Sequence, residues 1–100
     1  MKTDSVLSLL GFAAKAGKLS FGTHATDFAT TSKRANLVLA AEDISAKTVK
    51  ELKFKADKQS IPVITLEGID SETLSHRVGK KCGVLAVCDS GFAASILKNI

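Results

Sequence analysis

Three short stretches carry the side chains that have chemistry to offer. Gly22-Thr23-His24-Ala25 stands where a short apolar segment turns into a helix, Glu42-Asp43 closes an apolar run, and Lys80-Lys81-Cys82-Gly83 separates a helix from another apolar run. At a helix start, backbone N–H groups without partners and the helix dipole favour an anion such as phosphate, and a histidine there adds one or two donors. Read alone, these four residues also fit a glycine turn followed by a surface histidine. Glu42, Asp43 and Asp89 follow strand-like runs and could gather around Mg²⁺. Capping is the reading adopted instead: Asp43 or Ser45, and Asp89 or Ser90, precede helices.

Nothing else in the chain supports catalysis. There is no glycine loop of the Walker or dinucleotide type and no nucleophile elbow. Cys82 and Cys88 are separated by an extended segment too long for a disulfide, so two free thiols are expected, and the cysteines and histidines lack zinc spacing. His76 is expected on the polar face of a short helix. The chain is therefore expected not to be an enzyme and to use no cofactor and no metal.

A net charge of +4 and an isoelectric point near 9.2 lean towards a polyanionic partner. Lys47, Lys50, Lys53, Lys55 and Lys58 crowd one helical stretch, and Lys80-Lys81 forms a second basic surface. Phe54 falls among the first group, where it could stack on a base, seat a protein partner or fold over lysine stems. With 100 residues, 45% of them hydrophobic and one proline, the chain reads as one globular domain, residues 1–100. MKTDSVLSLLGFAAKAGK superficially suggests a signal peptide, but Asp4 and Ser5 read as a helix cap and no cleavage site follows. No run approaches the ~20 apolar residues of a membrane span. The expected location is cytoplasmic, with no membrane partner.

The elements that must position these residues alternate. Ser5 to Ala16 reads as a largely buried helix stopped by Gly17, and Lys18 to Phe21 as an edge strand. The second helix runs from Gly22-Thr23 to before Lys33-Arg34. Asn36 to Ala41 reads as a strand covered on both faces, Ser45 opens the lysine-rich helix, and Ile61 to Thr65 is the next strand. Ser71-Glu72 opens a helix that Gly79 ends; Gly83 to Val87 is a strand, and a last helix follows Asp89 or Ser90. This order predicts an α/β fold, a three-layer α/β/α sandwich with a central sheet of about four strands. Loops at one end of the strands should carry the site.

LLGFAAKAGKLSFGTHATDF, KRANLVLAAEDIS, IPVI and LSHRVGKKCGVLAVCDSGFA, spanning about Val6 to Ala93, together resemble the L-seven-Ae/L-thirty-e ribosomal protein family in its bacterial form. The resemblance implies an α/β/α sandwich that binds structured RNA, often a kink-turn, in which a bend with sheared G·A pairs extrudes a base. It places Gly22, Thr23, His24 and Ala25 in the widened groove, Glu42-Asp43 on its flank, and Lys80, Lys81, Cys82 and Gly83 against the extruded base. Lys80 and Lys81 would hold the backbone; Cys82 with Gly83 would supply a small apolar contact. Strong kink-turn binders carry asparagine and glutamate at the places of His24 and Ala25, and a lysine where this chain has Phe28. The spacing of Phe28 from Ala25 and Ala29 fits a buried stripe, so the core is its expected place and base stacking the alternative. The rival reading is a protein-interaction adaptor on the same fold, with a partner at the Lys47 to Lys58 helix.

Overall fold

The computed structural model describes all residues, Met1–Ile100. Five helices and four strands alternate: α1 (Thr3–Lys15), β1 (Leu19–Phe21), α2 (Gly22–Thr31), β2 (Leu37–Ala41), α3 (Ala46–Asp57), β3 (Val63–Leu66), α4 (Ser71–Val78), β4 (Val84–Val87) and α5 (Ser90–Lys98). The strands form one sheet in the order β1-β4-β2-β3. β2 and β3 are parallel, while β4 runs antiparallel to both β1 and β2. No helix is long and apolar enough to cross a membrane.

The sheet separates two cores because side chains alternate across a strand. Leu37, Leu39 and Ala41 of β2, with Leu85 and Val87 of β4, join Val6, Leu7 and Leu10 of α1, Leu74 and Val78 of α4, and Ala93 and Ile96 of α5. Val38 and Ala40, with Val84 and Ala86, face the other way onto Ala29 of α2 and Leu52 and Ala56 of α3. That is the three-layer sandwich the alternating runs predict. The caps follow the expected residues at two helices: Ser45 Oγ accepts from Thr48 N–H at 3.2 Å, and Asp89 Oδ2 from Phe92 N–H at 2.8 Å. Gly79 stops α4 in the left-handed conformation, φ +77°.

Several expectations are corrected. α1 starts at Thr3 rather than Ser5; neither Asp4 nor Ser5 caps it, and Lys2 N–H donates to Asn99 O at 2.7 Å, tying its start to the end of α5. α1 is buried along one side only, and Phe12 stands 61% exposed. The third strand begins at Val63, not Ile61, and Thr65 is exposed because β3 is an edge strand. Phe28 is 62% exposed, not in the core: α2 buries Thr26, Ala29 and Thr30 instead.

Thr30 Oγ1 donates to Thr26 O at 2.8 Å, but Thr26 Oγ1, wholly buried, has no hydrogen-bond partner. A buried unpaired hydroxyl carries a desolvation cost with nothing to offset it. Thr26→Val replaces it with a methyl group of the same shape and should stabilise the protein by about 1 kcal/mol, measured as a higher urea midpoint at unchanged slope.

Candidate functional site

β1 and β2 run in one direction and β4 in the other, so the ends of β1, β2 and β3 and the beginning of β4 share one edge of the sheet. α2, α3 and α4 all start from that edge. Two of the three starts are closed. Ser45 caps α3, and Asp70 Oδ1 caps α4 by accepting from Thr73 N–H at 2.8 Å. α2 has Phe21 as its N-cap, without a side-chain cap bond, and no acidic residue in its first turn. Its leading N–H groups and positive dipole end therefore face outward unopposed.

Gly22 holds φ +87°, a conformation that side chains resist, while a Cβ there would meet nothing within 4 Å. Backbone geometry, not space, requires glycine at this position. Thr23 and His24 are exposed and Ala25 is half-buried. His24 and Phe28, four residues apart on α2, both point to solvent on one face.

The loop before β4 comes to the same place. Lys80 Nζ lies over the Phe21 ring, 5.4 Å from its centroid, which seats a cation beside the start of α2. Gly83 O accepts from Ala41 N–H at 2.8 Å, and a Cβ on Gly83 would stand 2.5 Å from Ile44 Cδ1 and 2.8 Å from Ser71 Oγ. Any larger residue there would have to push the Ile44 and Ser71 side chains aside. Ser75 clamps the loop: its hydroxyl oxygen accepts from Cys82 N–H at 2.9 Å, and its proton lies within reach of Ser71 O at 2.6 Å and Cys82 O at 2.9 Å. A groove of ≈ 600 Å³ runs beside Ile44, Ser71, Lys81 and Gly83.

The acidic pair is structural. Glu42 Oε1 accepts from Gly68 N–H at 3.1 Å, and Asp43 Oδ1 accepts from both the N–H and the hydroxyl of Ser71, at 2.9 and 2.8 Å. Asp43 thus does not cap α3, as one reading of the sequence had it; it joins the β2–α3 loop to the start of α4. The Ser71 hydroxyl holds its carboxyl below the ordinary value of 3.8. No three of the histidines, cysteines and carboxylates gather as metal ligands would.

Cys82 is mostly buried in the larger core, where burial pushes the thiol above its ordinary value, and the little surface it keeps lines the groove beside Gly83. Cys82 and Cys88 are both free thiols. The edge brings together Gly22, Thr23, His24, Ala25, Lys80, Lys81 and Gly83; Cys82 shows only a small part of its surface in the groove, and the carboxylates of Glu42 and Asp43 turn to internal partners. Sequence reasoning missed Phe21 as the seat of Lys80, Ile44 as the wall over Gly83, and the Ser71 and Ser75 hydroxyls. The i, i+4 spacing of the two serines puts them on one face of α4, which was the available signal. On α3, Lys55 forms an ion pair with Asp27 at 2.7 Å, and Lys58 lies over the exposed Phe54 ring at 4.5 Å.

The family model of the Ribosomal protein L7Ae/L30e/S12e/Gadd45 family matches residues 4–97. The chain belongs to this family. It is 31% identical over 90 residues to the RNA-binding protein YlxQ of Enterococcus faecium, covering 90% of this chain and 85% of that one. The Bacillus subtilis (strain 168) protein of the same name is 33% identical over 90 residues, covering 89% and 88%. Among solved structures, a Bacillus halodurans protein of unknown function superposes with a TM-score of 0.87 at 30% identity, covering 94% of both chains. A Giardia lamblia 15.5kD RNA binding protein shares the fold, with a TM-score of 0.80 at 14% identity over 97% of this chain and 82% of that one.

Two outcomes test how the family's sheet edge is held here. Ser75→Ala strands the Cys82 N–H and should cost about 1–3 kcal/mol, read by urea unfolding. Asp43→Asn probes the carboxylate charge. A folded-state pKa below the unfolded one contributes stability that is complete above the unfolded value and lost as pH falls through the folded value. The wild type should therefore exceed Asp43→Asn in stability at neutral pH, and the gap should close well below pH 3.8.

Proposed function

We propose that this edge binds structured RNA at a bend or internal loop of the kink-turn kind, by shape and without catalysing a reaction. The observation that carries the reading is the uncapped start of α2 beside Lys80, a cluster of outward N–H donors next to a seated cation. The RNA-binding names of the two similar bacterial proteins support it. On this reading the protein works among cytoplasmic, ribosome-related RNAs.

An ordinary A-form helix hides its base edges in a deep, narrow groove, and a bend opens them. Gly22 and Thr23 let the RNA backbone approach the first turn of α2, where N–H groups take a phosphate oxygen. His24 donates to a base edge or phosphate. Phe28, exposed one turn later on the same face, offers a flat surface to a base where strong kink-turn binders present a lysine. Lys80 and Lys81 neutralise backbone charge. An extruded base takes the groove beside Gly83, against Ile44, the Lys81 stem and the small surface that Cys82 keeps there. Glu42 and Asp43 offer the RNA backbone N–H groups and loop shape rather than free carboxylates, since their side chains already accept hydrogen bonds.

Binding to a kink-turn RNA beside a straight duplex of equal length, across a salt series, tests the reading. The kinked RNA should be preferred, and the preference should survive salt. Lys80→Ala with Lys81→Ala should weaken binding and reduce the slope of log affinity against log salt by about 1.4–1.8, the loss of two phosphate contacts. Equal affinity for both RNAs with equally steep salt losses would sink the proposal, because charge alone binds that way.

A further inference from the structure

Gly79, at the end of α4, opens onto a second groove that the site above does not use. This groove, of ≈ 430 Å³, runs between α1 and α4 and is lined in part by Ser8, Phe12, Lys15, His76 and Arg77. No aspartate or glutamate lines it. Phe12 presents its ring to solvent, 61% exposed, on a helix whose other large apolar residues turn inward. Arg77 Cδ lies 3.5 Å from where a Cβ on Gly11 would stand, so its stem rests along α1, and the guanidinium makes no ion pair. Glu72, the carboxylate of α4's first turn, lies in an adjoining hollow with Thr73 and Arg77. His76 faces both this groove and the one beside Gly83, and Lys80 follows Gly79 directly. Asp43 and Glu72 line the groove beside Gly83, but a hollow lined by Ser75, His76, Gly79, Lys80 and Lys81 joins the α1–α4 groove to the loop before β4 with no carboxylate on it.

We propose that the groove between α1 and α4 binds a single-stranded RNA segment flanking the bend, with Lys15 and Arg77 on its phosphates and Phe12 stacked on an unpaired base. This rests on the RNA reading of the sheet edge and extends it. The chemistry selects this ligand: cations with no carboxylate between them suit a polyanion, and an exposed aromatic ring beside them supplies the stacking surface that single strands use and duplexes cannot. The hollow along Lys80, Lys81 and His76 lets one strand leave the bend and enter the groove past no carboxylate.

The test uses the whole protein and two forms of the kink-turn RNA, one blunt and one carrying an unpaired adenosine tail, placed first at one end and then at the other. The tail at one of the two ends should tighten binding by about tenfold, the scale of a single base–aromatic stack with its phosphate contacts. Phe12→Ala should abolish most of that gain, and Lys15→Gln with Arg77→Gln the rest, each leaving affinity for the blunt RNA unchanged. Arg77→Gln keeps the stem over Gly11, and thermal unfolding checks that every variant remains folded. A wild type that binds blunt RNA but gains nothing from either tail overturns the groove and leaves the sheet edge standing. A gain that survives Phe12→Ala and the glutamine pair together overturns it too. If neither RNA binds, the sheet-edge reading falls and the groove proposal with it. Phe12-dependent binding of a polyglutamate peptide, with no gain from a tail, reassigns the groove to an acidic protein.

Discussion

Because β4 enters the sheet between β1 and β2 and runs against both, the loop before it arrives at the edge from which the other strands depart. Had β4 run parallel to its neighbours, Lys80 and Lys81 would lie at the far end of the sheet, out of reach of α2. The reversal also requires the loop to cross close to the β2–α3 segment, and Gly83 provides the clearance against Ile44 and Ser71. Everything at the edge depends on that crossing. The Ser75 clamp, the Lys80–Phe21 contact and the Ala41–Gly83 hydrogen bond all hold the loop in the single position that the reversed strand allows.

Electrostatics at the edge comes from what is already occupied. Three helices begin there, and two have their positive ends answered by Ser45, Asp70 and, through Ser71, Asp43. Glu42, Asp43 and Asp70, the acidic residues of the edge, are therefore engaged with backbone donors of the protein itself. α2 alone keeps its donors turned outward. The field at the edge is set less by the modest net charge of the chain than by this difference in capping.

Much of the architecture was legible because it follows from short-range rules. Runs such as LVLAA and VLAV are apolar at every position since both faces of β2 and β4 are covered, and Ser45, Gly79 and Asp89 act on residues three or four positions away. Phe28 was not legible in the same way. Helical spacing shows which residues share a face, not which face is covered, and α2 packs through Thr26 and Thr30, whose hydroxyls disguise a buried stripe as a polar one. The partners of Asp43 and Cys82 were out of reach for a related reason. Asp43 finds its partner 28 positions away, and the Cys82 backbone is held by a serine seven positions earlier. Gly22 and the two lysines were found from residue type, but the seat that Phe21 gives Lys80 exists only once β1 and β4 are paired.

The sheet's outer strands bear on a different matter. β1 is only three residues long, with Lys18 before it and Gly22 leaving it at positive φ; β3, on the other side, has Pro62 before it and an exposed Thr65 along it. Short, charged or proline-flanked edges offer poor templates for a further strand. A small basic protein that collects on a polyanion reaches high local concentrations there, which is the condition under which open sheet edges join copies into fibres. Here both ends of the sheet are built to resist that joining.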